Sequence, residues 1–135
     1  MLYMLDTNII SYILSGDSTI LGKTESILSQ NEISIPDIVY YEIQRGLFYK
    51  DKKNLQIAFK NFCNFFPISY MTKESLQQAA IIYAELRKEG NIIEDDDILI
   101  GSLALTKNAT LITNNVKHLG RIKNLKLEEW KTDNQ

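Results

Sequence analysis

Short runs rich in apolar residues, separated by longer amphipathic segments, constrain the fold of this 135-residue chain more than any other feature. The runs are Leu2–Leu5, Ile33–Ile35 and Thr110–Thr113, with weaker candidates at Ile68–Tyr70 and Leu125–Leu127. Short runs in which apolar and polar residues do not strictly alternate are typical of strands buried on both faces of a parallel sheet. Because helical segments alternate with them, the sequence predicts an α/β protein with a central, mostly parallel twisted sheet and helices on both faces.

The segments between the runs have the spacing and end signals of helices. The predicted helices span about residues 7–14, 19–30, 38–49, 52–66, 74–89 and 95–107. Thr7 or Asn8, Asp37 and Thr72 are the expected caps, and Gly16 and Gly90 the expected ends. The chain contains no linker, internal repeat or low-complexity segment, so we expect one domain over residues 1–135.

Histidine and cysteine each occur once, which limits the kinds of catalytic and metal sites that the chain can form. His118 is the one histidine and Cys63 the one cysteine, so neither a two-histidine acid/base pair nor a Cys/His zinc site is available. Any metal must therefore bind oxygen ligands, which suit magnesium, manganese or calcium. No apolar run approaches the roughly 20 residues that cross a bilayer, and no signal peptide is evident, so we expect a cytoplasmic protein without membrane contact.

Charge is unevenly distributed along the chain, although the net charge is only −2. Residues 1–47 carry six acids against two bases, whereas residues 101–135 carry six bases against three acids. The basic stretch at 117–126 could be an ordinary solvated face. It could also contact phosphates and overcome the repulsion between nucleic acid and nearby acids.

Three consecutive aspartates, Asp95 to Asp97, stand directly before the predicted buried helix, with Glu94 before them. A helix N-terminus favours one carboxylate as a cap and another in the first turn. Capping does not explain so many adjacent acids, because like charges repel unless a cation or water screens them. The sequence therefore predicts that some of these carboxylates hold a metal ion.

Other polar residues should meet that helix start. Asp6 and the pair Asn114-Asn115 each follow a predicted buried strand directly. Ligand sites of open α/β sheets lie beyond the carboxyl ends of the strands, so these residues should share one edge. Glu42 lies one turn beyond Ile38 on the helix after the second strand and can lean over the same edge.

Four segments, taken in order, resemble the PIN-domain ribonucleases, most closely the VapC toxins of toxin–antitoxin pairs. They are Leu5–Asn8, Tyr41–Gly46, Asp95–Ile100 and Leu111–Asn115, and the likeness extends from Met1 to about Trp130. The resemblance implies a three-layer PIN-like fold and an Mg²⁺- or Mn²⁺-dependent endoribonuclease that leaves a 5′-phosphate and a 3′-hydroxyl. It also implies a homodimer, silenced by a co-encoded VapB-like antitoxin and assembled with it into larger complexes.

The resemblance assigns roles to individual acids. Asp6, Glu42 and Asp97 match the first three acids of the family, and Asp95 matches an assisting acid found in many relatives. These four are the expected metal ligands, and Glu42 is expected either to bind the metal through water or to orient the attacking water. Asn115 stands where a fourth acid is common, which weakens a second metal site, and is expected to hydrogen-bond a water or a phosphate during catalysis.

Two further sets complete the predicted site. Polar groups expected to support the acids are Thr7, Asn8 and Thr113. Cations expected against the RNA are Arg45, Lys117 and Arg121.

Each assignment has a simpler alternative. Asp6 could serve only as a helix cap, and Glu42 could be a solvated residue paired with Arg45 one turn later. Asn115 could merely begin a turn. Asp96 is expected to be a solvated charge of the first helical turn that faces water.

Other functions remain alternatives at this point. A receiver-type phosphoacceptor would place its acidic pair after the first strand, whereas here the cluster comes late. A phosphatase of the haloacid dehalogenase type needs a second aspartate at position 8, which is Asn8. A metal-free PIN fold that only binds RNA or protein, and an RNA-processing nuclease outside any toxin–antitoxin pair, are the nearer rivals.

Overall fold

The computed structural model describes residues 1–132 and contains a five-stranded parallel sheet flanked by helices. The strands are β1 (Leu2–Leu5), β2 (Glu32–Pro36), β3 (Ile68–Ser69), β4 (Thr110–Thr113) and β5 (Lys126–Glu129). The helices are α1 (Thr7–Leu14), α2 (Ser18–Leu28), α3 (Asp37–Tyr49), α4 (Lys53–Phe65), α5 (Lys73–Glu89), α6 (Asp95–Thr106) and α7 (Val116–Leu119). The predicted fold class is confirmed. The last three residues of the predicted single domain, 133–135, lie outside the described residues.

The order of the strands is β3-β2-β1-β4-β5, so the chain begins in the middle of its own sheet. On one side of β1, Tyr3 is in register with Ile33 of β2; on the other, Leu5 is in register with Ile112 of β4. The chain crosses the sheet in one direction from β1 to β3 and in the other direction from β3 to β5, so right-handed crossovers place their helices on opposite faces. The strand order therefore reverses beside β1, and the carboxyl ends of β1 and β4 form a crevice there.

Two of the predicted helix caps are wrong. Asp6 precedes α1 and accepts a hydrogen bond from the backbone N–H of Thr7, which replaces the expected cap at Thr7 or Asn8. Asp37 is the first residue of α3 rather than its cap, and its Oδ2 accepts from the backbone N–H of Met71 at 3.0 Å. That bond ties the start of α3 to the end of β3.

The ends of α5 follow the prediction. Thr72 and Ser75 bond reciprocally in a capping box, and Gly90 ends the helix with φ of 73°. The sequence predicts a basic turn after Asn115, where the structure has the short helix α7. The last strand begins and ends later than expected.

Helix α6 is buried along most of its length, as its apolar composition predicts. Ile100, Leu103 and Ala104 are each at most 1% exposed. A Cβ atom added at Gly101 would stand 2.5 Å from Cδ1 of Ile122, so this glycine permits close approach of the following segment. Within residues 1–132, no helix is both long enough and apolar enough to cross a membrane.

Phe59 anchors α4 on the rest of the molecule and provides a test of the packing. Its side chain is 1% exposed and its ring centroid lies 5.6 Å from that of Tyr40. Phe59→Ala is expected to lower the free energy of unfolding by about 3–5 kcal/mol, because it leaves a cavity. Phe65→Ala on the same helix removes an 81% exposed ring and is expected to change it by about 0.5 kcal/mol or less. Equal urea-unfolding midpoints for the two variants would contradict this packing.

Candidate active site

Asp6 lies at the carboxyl end of β1 and is fixed by two hydrogen bonds. Its Oδ1 accepts from the backbone N–H of Thr7 at 2.8 Å, and its Oδ2 accepts from the hydroxyl of Thr113 at 2.7 Å. The residue is only 5% exposed. Burial raises the pKa of the carboxyl, and the two hydrogen bonds oppose that shift. Each oxygen keeps further lone pairs for a ligand.

Glu42 reaches the same edge from the second turn of α3. Its Oε1 accepts from the Thr7 hydroxyl at 2.7 Å, and its side chain is 13% exposed. Burial, and then the nearby carboxyl of Asp96, raise the pKa of Glu42 to about 7. Arg45 lies 3.7 Å from Oε2, but it is 59% exposed and its charge is therefore screened.

Asp97 faces the cleft from the first turn of α6. Burial raises its pKa to about 6, helped by the charges of Asp6, Asp96 and Glu94. The amide of Asn115 donates to Oδ2 of Asp97 at 3.3 Å. The pair joins the start of α6 to the segment after β4, so Asn115 does more than begin a turn.

The other two aspartates of the triplet are placed differently from the prediction. Asp96 is half-buried beside Glu42, not a charge that faces only water. Asp95 is exposed and lines a groove against α5 with Leu76 and Tyr83, so the structure does not bring it to the acid cluster. Successive residues of a helix are rotated by about 100°, which puts Asp95 and Asp97 on opposite sides of α6.

The structure brings Thr7, Asn8 and Thr113 to the acids: Thr7 and Thr113 bond to carboxylates, and Asn8 bonds to Asn114 beside them. The Thr113 hydroxyl donates to Asp6 and accepts from the backbone N–H of Asn115 at 2.9 Å. The amide of Asn8 donates to Oδ1 of Asn114. These bonds hold β1, α1 and the segment after β4 in one arrangement.

Sequence reasoning missed Ser11 and Tyr12 of the cleft, and it placed Asn114 at this edge without giving it a role. The amide of Asn114 donates to the phenol oxygen of Tyr12 at 3.3 Å, and both side chains line the cleft. Tyr12 follows Asn8 by four residues on α1, so the helical spacing could have placed it on the same face.

The predicted RNA-binding cations are not brought together. Arg45 lies beside Glu42 with its guanidinium 5.2 Å from the ring centroid of Tyr41. Lys117 is exposed on α7, two residues beyond Asn115. Arg121 donates to the carbonyl of Ile92 at 2.9 Å and lines a separate groove against α5, so its predicted position at the site is wrong.

The acids and the polar side chains around them form an open cleft of about 570 Å³. Its lining residues are Asp6, Thr7, Asn8, Ser11, Tyr12, Glu42, Asp97, Asn114 and Asn115. No basic side chain of residues 1–132 lines it. A smaller, more apolar groove of about 280 Å³ adjoins it and shares Thr7, Ser11 and Glu42.

The cleft suits a hydrated divalent cation. Its carboxylates have raised pKa values because they are partly buried and, to a smaller extent, repel one another, and a bound cation would offset both penalties. Across residues 1–132, no three carboxylate, imidazole or thiolate side chains form a ready-made metal cage. An ion there would keep several waters, as Mg²⁺ does with one or two carboxylate ligands. Asn8 Oδ1 is buried in the cleft wall and accepts no hydrogen bond from residues 1–132.

Comparison with known proteins identifies the family of this chain. The model of the PIN domain family matches residues 3–124. Ribonuclease VapC2 of Rickettsia felis is 36% identical over 132 residues, which cover 96% of this chain and 98% of that protein. Ribonuclease VapC1 of Haemophilus influenzae strain R2866 is 32% identical, with the same coverage.

Solved structures give the same result. The crystal structure of VapBC2 from Rickettsia felis bound to a DNA fragment from their promoter matches with a TM-score of 0.92 and 35% identity, covering 97% of this chain and 100% of that one. VapBC-1 from nontypeable Haemophilus influenzae matches with a TM-score of 0.86 and 30% identity, covering 96% and 98%.

Proposed function

Since this chain belongs to the PIN domain family, among its VapC ribonucleases, we propose that it is a metal-dependent endoribonuclease and the toxin of a toxin–antitoxin pair. The observation that carries the proposal is the group of acids at the carboxyl edge of the sheet: Asp6, Glu42, Asp96 and Asp97. A fold that only binds RNA has no need to concentrate negative charge where a phosphate must approach.

Asp6 and Asp97 are the residues that would hold Mg²⁺ or Mn²⁺ directly, with Glu42 and Asp96 bound to its waters. This assignment replaces Asp95 with Asp96, because Asp96 lies beside Glu42 and Asp95 does not. When bound, such a cation neutralises phosphate charge and makes water more acidic.

Glu42 and Asn115 have further roles in the proposed reaction. Glu42 can accept a proton from the attacking water, while the Thr7 hydroxyl keeps its Oε1 in place. Asn115 orients Asp97 through their hydrogen bond. Attack by water at phosphorus, with departure of the 3′-oxygen, leaves a 5′-phosphate and a 3′-hydroxyl.

A VapB-like antitoxin is the partner that the relatives support, since two of the similar structures are VapBC proteins and the one from Rickettsia felis is bound to DNA. We place the protein in the cytoplasm, where such a partner and RNA are found. An RNA-processing nuclease without an antitoxin would purify alone when expressed from its own locus, whereas the toxin would carry a small partner.

Self-association into a homodimer, and with the antitoxin into larger complexes, is part of the same proposal. Helices α4 and α5 both expose apolar side chains. Ile57 and Phe65 are 61% and 81% exposed on α4, and Leu76 is 53% exposed on α5. Exposed apolar side chains of this kind are enriched at protein interfaces.

Metal binding gives the direct test of the site. Asp6→Asn is expected to weaken Mn²⁺ binding, measured by calorimetric titration of the purified chain, by about 10- to 100-fold or more, because a charged ligand is lost. Asp51→Asn is the matched control, since Asp51 is exposed and pairs with Lys53 at 3.0 Å. Equal Mn²⁺ affinities for the wild type and both variants would refute the metal site.

A further inference from the structure

One wall of the acidic cleft carries no charge. Asn8 and Tyr12 lie one helical turn apart on α1, and Asn114 follows β4 beside them. Asn8 donates to Asn114, and Asn114 donates to the Tyr12 oxygen at 3.3 Å. The three side chains therefore form a hydrogen-bonded row, here called the amide–phenol row, next to the carboxylates.

The amide–phenol row has unused hydrogen-bonding capacity. The Tyr12 oxygen accepts from Asn114, but its own proton has no acceptor in the part of the chain that the structure describes. The Asn114 amide has a second N–H, since only one of its two protons is directed at Tyr12. Donors left unpaired in a cleft are costly unless water or a ligand accepts from them.

The composition of the row favours a nucleobase over a phosphate. A phosphate only accepts hydrogen bonds and is drawn to cations, whereas this wall is neutral and mixes donors with acceptors. A base edge presents the same mixture. The half-buried Tyr12 ring adds an aromatic surface, which single-stranded RNA uses for stacking.

We propose that Tyr12 and Asn114 contact the nucleobase next to the scissile phosphate and set which base is preferred there. Asn8 positions Asn114 through their hydrogen bond. The substrate is then RNA with that nucleotide unpaired, because a base inside a duplex cannot present its edge to this wall. The inference rests on the proposed ribonuclease function.

The test compares base preferences rather than rates. Purified full-length chain with Mn²⁺ cleaves a single-stranded RNA library randomised around a central segment, and sequencing of the products gives relative kcat/KM for each base at each position. Tyr12→Phe keeps the ring and removes the hydroxyl, and Asn114→Ala removes the amide. Tyr70→Phe is the matched control, because Tyr70 is 65% exposed and does not line the cleft.

We expect Tyr12→Phe to reduce the preference at one position beside the cut by about five- to tenfold, the worth of one neutral hydrogen bond. Asn114→Ala should reduce it at the same position, while Tyr70→Phe keeps the wild-type pattern. A lower rate with unchanged preference in both variants, or a wild type without preference beside the cut, would overturn the inference. If the wild type cuts no RNA, the proposed function fails and this inference with it.

Discussion

Asp97→Asn is expected to lower RNA cleavage by at least about 10²- to 10³-fold, the range seen when a charged or metal-supporting group is removed from an active site. The change keeps the size of the side chain and removes its charge. It also leaves the Asn115 amide a neighbouring oxygen to which it can donate. A large loss would therefore report the charge of Asp97 rather than a rearranged cleft.

Asp95→Asn is the matched control for that experiment. The two aspartates are two residues apart at the same helix start, yet Asp95 is exposed in the groove against α5. Each variant is induced in cells without an antitoxin, and the ends of cellular RNA are sequenced. Wild-type cuts should persist with Asp95→Asn and disappear with Asp97→Asn. Cuts that are equally abundant in both would exclude Asp97 as a catalytic ligand.

Asp95 and Asp97 also show which part of the site could not be predicted from the sequence. The acid-rich start of α6 could be predicted, because three aspartates exceed what capping needs. Which of them face the cleft depends on how α6 is rotated, and that rotation is set by packing around Ile100 and Leu103 in the core. The order of the strands likewise depends on contacts distant in sequence, although each buried strand is evident by itself.

Asp6 caps a helix and also lines the cleft. The sequence offered it as either a helix cap or a site residue, and in the structure it caps α1 while its other oxygen accepts from Thr113. The strand end positions the carboxyl and the helix start orients it. The predicted place of Arg121 at the site is wrong, because the basic composition of its segment does not indicate on which face of the molecule the side chain lies.

The stability of the metal-free protein is expected to fall as the pH rises from about 4 to 7. Glu42 has a folded-state pKa of about 7, above its ordinary value of 4.5, so the folded chain binds this proton more tightly than the unfolded chain. The contribution of this proton to the free energy of unfolding is complete below pH 4.5 and is lost as the pH rises through 7. The loss amounts to up to about 3 kcal/mol. Asp97, with a pKa of about 6 against 3.8, acts in the same direction.

Urea unfolding in the presence of a chelator, repeated at several pH values, measures this decline. Glu42→Gln should flatten the curve and raise stability at pH 7.5, because it removes a half-buried charge that the exposed, screened Arg45 offsets only in part. Saturating Mg²⁺ should stabilise the wild type most at high pH, where the ionised carboxylates bind it, and stabilise Glu42→Gln less. Stability that rises between pH 4 and 7 without metal would mean that these carboxylates are already paired with cations in the folded chain, and that no ion is needed to hold them together.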